Sequence, residues 1–189
     1  MPLVTALRND PLLQPFLKNS CAENGMAATL SPGIDPNDIV IISPDDYFNS
    51  AIGHARHEDA DGNLPKSPDC LVVVRCHDGT FSIFIVELRD IKSRDGFRTK
   101  DIQEKFRTCL LDFMQDVLGA HFIDTNYRLN EVKLLFVSDP YGQRSSTENQ
   151  EQYTRSPKLD VFLGLRPFYF DGRKLGIDHR VHDPLIRPC

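Results

Sequence analysis

No stretch of the 189-residue chain approaches the run of about 18 apolar residues that a membrane-crossing helix needs, so no span and no membrane partner are expected. No basic segment followed by an apolar one opens the chain, so no secretory signal is expected. The sequence has no GxxxxGK[ST], GxGxxG, GxSxG or HExxH. That argues against a P-loop nucleotidase, a Rossmann dinucleotide site, an esterase elbow and a zincin. No internal repeat is visible. Cysteine is sparse: Cys21, Cys70, Cys76, Cys109 and Cys189 are odd in number and scattered, with no CxxC. This pattern is expected of reduced thiols in a cytoplasmic or otherwise intracellular protein, not of a disulfide frame or a zinc site. A basic excess is also lacking. The net charge of −5 argues against a protein that simply coats nucleic acid.

What charge there is lies unevenly. Residues 1–88 carry −7 and residues 89–189 carry +2. The basic bias begins at Arg89, Lys92, Arg94, Arg98, Lys100, Lys105 and Arg107, against Asp90, Asp95, Asp101 and Glu104. Such a segment is either a solvated loop and helix face or a phosphate-contacting patch.

The most informative stretch is 67–92, SPDCLVVVRCHDGTFSIFIVELRDIK. Leu71 to Arg75 is an almost unbroken apolar run with three β-branched residues, the pattern of a strand buried on both faces. Asp78-Gly79, a pair that tolerates positive φ at both centres, predicts a tight hairpin turn. Phe81 to Leu88 is then the returning strand. A hairpin brings the open ends of its strands together, so Asp69 and Glu87 become neighbours. Glu87 and Arg89, two apart, share a strand face. Two adjacent carboxylates repel unless a cation lies between them. Oxygen donors of this kind suit Mg²⁺, which is usually held by one or two carboxylates together with substrate phosphate. Pro-Asp before a strand and Glu at a strand end are also ordinary structural features, and that reading stands beside the chemical one.

Proline-aspartate, a hairpin, then acid-x-base resembles the PD-(D/E)xK signature of the restriction-endonuclease-like nuclease superfamily. The resemblance implies that Asp69, Glu87 and the backbone carbonyl of Leu88 hold Mg²⁺, which Mn²⁺ can replace. Arg89 stands where the family has lysine. Arginine cannot lose a proton in a protein, so it can stabilise charge but cannot act as a base. Lys92 is the candidate replacement. The resemblance further implies metal-dependent hydrolysis of DNA phosphodiester bonds, with a homodimer or second subunit for cutting both strands. Its alternative is a nuclease-fold protein without catalysis, serving as a binding or assembly subunit.

Elsewhere the expectations are coarser. A short helix is predicted around 11–22, interrupted by Pro11 and Pro15, with a Gly/Pro/Asn loop at 25–37. A strand is predicted at 38–43 and a long polar loop over 44–68. In that loop Asp45, Asp46 and Glu58 are weak candidates for a third acid. His54 and His57 are better read as surface residues than as ligands. After a basic connection over 91–98, Asp101 to Glu104 reads as a capping box. Ile102, Phe106, Leu110, Phe113 and Val117 form one apolar helix stripe, closed by Gly119 as C′ residue. Arg94, Arg98 and Lys100 are candidate nucleic-acid contacts. Gln103 is a weak site candidate, and for it and Lys105 a solvated role is favoured. A strand follows at 132–137, then a polar loop over 139–158 and a hairpin turning at Asp171-Gly172. His179, His182 and Asp183 read as a surface tail.

The predicted class is therefore α/β in a single domain, 1–189: a mixed central sheet flanked by helices. Its element order resembles the αβββαβ restriction-endonuclease-like core over about 10–138, with C-terminal additions over 139–189.

Overall fold

The computed structural model describes residues 1–89, 98–123, 127–138, 165–180 and 184–187. Its centre is a mixed six-stranded sheet in the order β1-β4-β5-β6-β7-β10. These strands are β1 (Leu17–Lys18), β4 (Ile39–Ile42), β5 (Cys70–Arg75), β6 (Phe81–Arg89), β7 (Leu129–Ser138) and β10 (Ile177–Arg180). Neighbours β1, β4, β5 and β6 pair antiparallel, whereas β7 is parallel to both β6 and β10. The apolar runs of β4, β5 and β6 are buried on both faces because both faces are covered.

Helices cover one face. Leu3, Val4 and Leu7 of α1 (Leu3–Asn9), Tyr47 and Phe48 of α2 (Pro44–Phe48), and Ile102 and Phe106 of α4 (Thr99–Thr108) pack with Val73, Ile83, Ile85, Leu134 and Phe136. The other face is covered by a small sheet of β2 (Cys21–Glu23), β3 (Met26–Leu30) and β11 (Leu185–Ile186), in the order β11-β3-β2. Cys21, Met26, Ala28 and Ile186 there meet Val72, Phe84, Val86 and Leu135.

Several expectations are corrected. Residues 11–22 are not a helix; the amino-terminal helix is α1, and Gln14–Phe16 is a single 3-10 turn before β1. The loop expected at 25–37 contains β3, which forms a hairpin with β2 through Asn24 and Gly25, both at positive φ. Residues 44–68 are not all loop: α2 and α3 (Ala51–His57) lie there. Ser43 and Ser50 cap them by accepting hydrogen bonds from the backbone N–H of Asp46 and Gly53. The β5–β6 turn has positive φ at Gly79 but not at Asp78, whose carboxylate accepts from Thr80 N–H and Oγ1.

The long helix starts at Thr99 with Arg98 in the cap position, so Asp101 lies in its first turn and pairs with Lys66 rather than capping. From Cys109 to Val117 the helix is π-type, and Leu118 N–H reaches back five residues to Phe113 O. The wider turn buries Met114 and Leu118 and leaves Val117 only half-buried. Gly119 is not a C′ residue; it opens the short α5 (Gly119–Phe122). The C-terminal region also supplies more than additions. After the β8–β9 hairpin (Phe168–Phe170, Arg173–Leu175), β10 joins the central sheet and β11 the small one.

The cysteine expectation fails as well. Cys21 and Cys70 form a disulfide across the two sheets, and Cys76 is disulfide-bonded too, while Cys109 is a free buried thiol. This removes the compositional ground for an intracellular reading. Among the described residues no helix is long and apolar enough to cross a membrane.

Candidate active site

The register of β5 and β6 pairs Cys70 with Val86 and Leu71 with Ile85, so the next pair outward is Asp69 opposite Glu87. Cross-strand neighbours of this kind have Cβ atoms about 5 Å apart. Glu87 continues the face of Ile83 and Ile85, the face that packs against the helices, and is itself fully buried. A carboxylate placed there needs a partner.

That partner is Lys105. The core contacts of Ile102 and Phe106 lock α4 over the sheet, and Lys105 Nζ lies 2.8 and 2.9 Å from the two Glu87 oxygens. Its side chain is 17% exposed and that of Glu87 is 1%. Burial raises the Glu87 pKa, and the charges of Lys105 and Arg89 oppose that rise. Arg89, two residues on, thus bears on Glu87 through its charge, while the close cation comes from the helix.

Asp69 Oδ2 accepts a hydrogen bond from Leu88 N–H at 2.6 Å, and the Glu23 carboxyl beside it adds to the rise of its pKa. Burial first, then the negative charge of Glu87, pushes the Asp69 pKa up to about 8. The group Leu88 offers Asp69 is its N–H, and its side chain belongs to the core on the opposite face.

Asp45, in the first turn of α2, adds negative charge beside Glu87 and accepts a hydrogen bond from Ser67 Oγ at 3.1 Å. Asp46 instead pairs with Lys18, and Glu58 with His54. Gln103 is half-buried on α4, about 200° round the helix from Lys105. Arg98 and Lys100 are exposed at the start of α4. Lys92, Arg94, His182 and Asp183 lie outside the described residues. His179 is not in a surface tail: it sits on β10 with Nε2 2.7 Å from Ser138 Oγ, and burial pushes its pKa down to about 4. His57 is likewise on a helix, its ring edge-on to Phe48 and Tyr47.

Among the described residues, no three histidine, cysteine or acidic side chains are grouped to hold a metal ion. The donors at the strand mouth are nonetheless all carboxylate oxygens, and two sit side by side in a low-dielectric setting. That donor chemistry fits a hard divalent cation such as Mg²⁺. Asp69 and Glu87 would hold it, in competition with the proton on Asp69 and with Lys105 on Glu87.

Lys105 is the residue the sequence reading missed. Its signal was the helix periodicity: Lys105 adjoins Ile102 and Phe106 on the buried side, so a fully solvated role was excluded once α4 covered the sheet. Comparisons of the chain with family models, with curated proteins and with solved structures found no match.

Proposed function

We propose that the protein is a metal-dependent endonuclease that hydrolyses DNA phosphodiester bonds, with a restriction-endonuclease-like core. One observation carries the reading. The mouth of the β5–β6 hairpin holds two acids and a lysine together, and Lys105 supplies from α4 the amine that Arg89 does not supply from the strand. The order α1, β4, β5, β6, α4, β7, with an antiparallel meander followed by a parallel crossover, supports the same reading.

When bound, Mg²⁺ would polarise the scissile phosphate and lower the pKa of a water beside it. The chain supplies the rest. Asp69, oriented by Leu88 N–H, and Glu87 offer the oxygens that hold the cation. Lys105, held at the site by Glu87, would present its ammonium to the charge developing on the phosphorane oxygens. Arg89 adds a permanent positive charge beside it. Arg98 and Lys100, exposed at the start of α4, would meet the flanking phosphates. One such site cuts one strand, so a duplex cut needs a second copy or a second subunit.

A second reading rests on the same pair. Lys105 occupies both Glu87 oxygens, which favours a nuclease-fold binding or assembly subunit in which the ammonium permanently replaces the metal. Plasmid nicking with Mg²⁺ and Mn²⁺ separates the two. The endonuclease reading expects metal-dependent cutting, lost in Asp69→Ala, Glu87→Ala and Lys105→Ala. DNA binding without cutting under either metal supports the subunit.

A further inference from the structure

A cavity of about 860 Å³ lies between α4, its π-type continuation and the segment after α3. It shares no residue with the Asp69–Glu87 mouth, and its size is that of a small-molecule site. Glu104, Arg107, Thr108, Leu111 and Asp112 line one wall; their three- and four-residue steps put them on one helix face. Leu64 and Pro65 line the other. The loop that carries them is held in shape. Asp59 Oδ1 accepts from the N–H groups of Asp61 and Asn63, and Lys66 Nζ lies 2.8 Å from Asp101 Oδ1 and 3.3 Å from Glu104 Oε2. The cavity is thus built before any ligand arrives.

Two features of the helix wall point to a ligand. Thr108 is 5% exposed, and among the described residues its hydroxyl has no hydrogen-bond partner. A buried hydroxyl without a partner is costly, so this one calls for a bound group to meet it. The π stretch begins at the next residue, Cys109, and contributes Leu111 and Asp112 to the cavity. A widened turn of this kind often marks a functional site.

The groups left over set the chemistry. Lys66 and Glu104 pair with each other, and Asp59 is occupied by its own loop. That leaves Arg107 and Asp112, one cation and one anion, neither in an ion pair with a described residue. A chain of like charges does not match them, and an apolar ligand would strip both of water without replacing it. The matching ligand is neutral. It offers acceptors to Arg107 and donors to Asp112, a little over one turn away. Its flat body fits between Leu111, 40% exposed, and the Leu64–Pro65 wall. We infer that the cavity binds a guanine base. Its O6 and N7 accept from the Arg107 fork, and its N1–H and N2–H₂ donate to the Asp112 carboxylate. The Thr108 hydroxyl, next to Arg107 in the chain, gains O6 as an acceptor. Adenine sets an amino donor beside N7 and so meets the guanidinium with the wrong group. An amino acid carries its ammonium and carboxylate on one carbon and cannot serve two groups a turn apart.

The inference stands apart from the endonuclease reading, so the test runs without metal, on the full chain and on its Asp69→Ala variant alike. Binding of GMP, IMP and AMP is measured by calorimetry, and the amide shifts of Thr108 and Leu111 locate the site. All three ligands carry the same phosphate. GMP is expected to bind at least tenfold tighter than AMP, with IMP, which lacks the N2 amino group, between them. Arg107→Ala and Asp112→Asn each weaken GMP at least tenfold. Thr108→Val, which removes only the hydroxyl, weakens it at least threefold. Amide spectra unchanged away from the cavity separate lost contacts from lost folding.

An oligothymidylate carrying a single guanine tells the source of the base. Affinity equal to that of GMP assigns a free nucleotide, and tighter binding that Arg107→Ala abolishes assigns a base within a strand; either upholds the pocket. GMP that fails to bind at millimolar concentration, or binds no tighter than AMP, overturns it. So does GMP affinity unchanged within twofold in both Arg107→Ala and Asp112→Asn.

Discussion

Lys105 Nζ contacts both carboxylate oxygens of Glu87, at 2.8 and 2.9 Å, across the interface between helix α4 and the central sheet. The two residues are 18 positions apart in the chain and reach each other because α4 crosses over from β6 to its parallel neighbour β7. With the acid fully buried, the pair is a requirement of this packing as well as a source of chemistry.

Removing one member should show that requirement. Lys105→Ala leaves an uncompensated buried carboxylate and is expected to cost about 3 kcal/mol in urea unfolding at pH 8. Without the ammonium, the Glu87 pKa rises further. The folded state then takes up a proton that the unfolded chain lacks, and the deficit shrinks as pH falls towards 5. Glu87→Gln/Lys105→Met, which removes both charges, is expected to recover most of the loss. A Lys105→Ala protein as stable as wild type at pH 8 would mean that Glu87 already carries a proton.

The Lys105 contact marks where the sequence stopped being legible. Alternating and β-branched runs disclosed β4, β5, β6 and β7, and hairpin geometry alone brought Asp69 to Glu87, because pairing register is a local property. The small sheet was not legible. Cys21–Glu23 and Met26–Leu30 are short, and β3 finds its second partner in Leu185–Ile186 near the other end of the chain. The disulfide was misread for a related reason: Cys21 and Cys70 are 49 residues apart, and only the stacking of two sheets brings them together. Helices α2 and α3 were hidden by polar composition, although Ser43-Pro44-Asp45-Asp46 carried an amino-terminal cap signal. Lys105 was set aside because basic residues on helices are usually solvated, and nothing local showed that its turn faces a buried glutamate.

Gly53 ties α3 to α2 by close backbone approach. A Cβ there would meet the carbonyl oxygen of Tyr47 at 2.2 Å and Phe48 backbone atoms at 2.6 and 2.7 Å. Gly53→Ala must therefore push α3 away, even though alanine is the better helix former, and is expected to cost about 2 kcal/mol in thermal or urea unfolding. Because His57 packs on Tyr47 and Phe48, its ring resonances are expected to shift in the variant. A neutral or stabilising effect would show that the α2–α3 contact is looser in solution.

The Cys21–Cys70 bond closes a loop across a sequence separation of 49 residues. The chain-entropy relation gives a contribution of about 4 kcal/mol for a loop of this size. Cys21→Ala/Cys70→Ala is expected to lose a large part of that in urea unfolding. Reduced wild type should lose at least as much, since the bond at Cys76 opens as well. If the variant unfolded at the same urea concentration as oxidised wild type, the two sheets would be held by packing alone and the covalent tie would be dispensable for stability.

The raised pKa of Asp69, about 8, has a definite sign in both stability and binding. An ordinary aspartate in the unfolded chain loses its proton near pH 4, whereas the folded protein keeps this one to about pH 8. Across that window the folded state binds the extra proton, so this group's contribution makes stability fall as pH rises and levels off above pH 8. Asp69→Asn removes the slope and is expected to stabilise the protein by about 1–3 kcal/mol at pH 8, with little effect at pH 4. A divalent cation must displace the same proton. Mn²⁺ affinity should therefore tighten about tenfold per pH unit from 6 to 8 and flatten above, with one proton released per ion at pH 7. Calorimetry in buffers of different ionisation enthalpy counts that proton directly. A count of zero at pH 7 would mean that Asp69 is already ionised, with Lys105 outweighing burial and Glu87 in setting its charge.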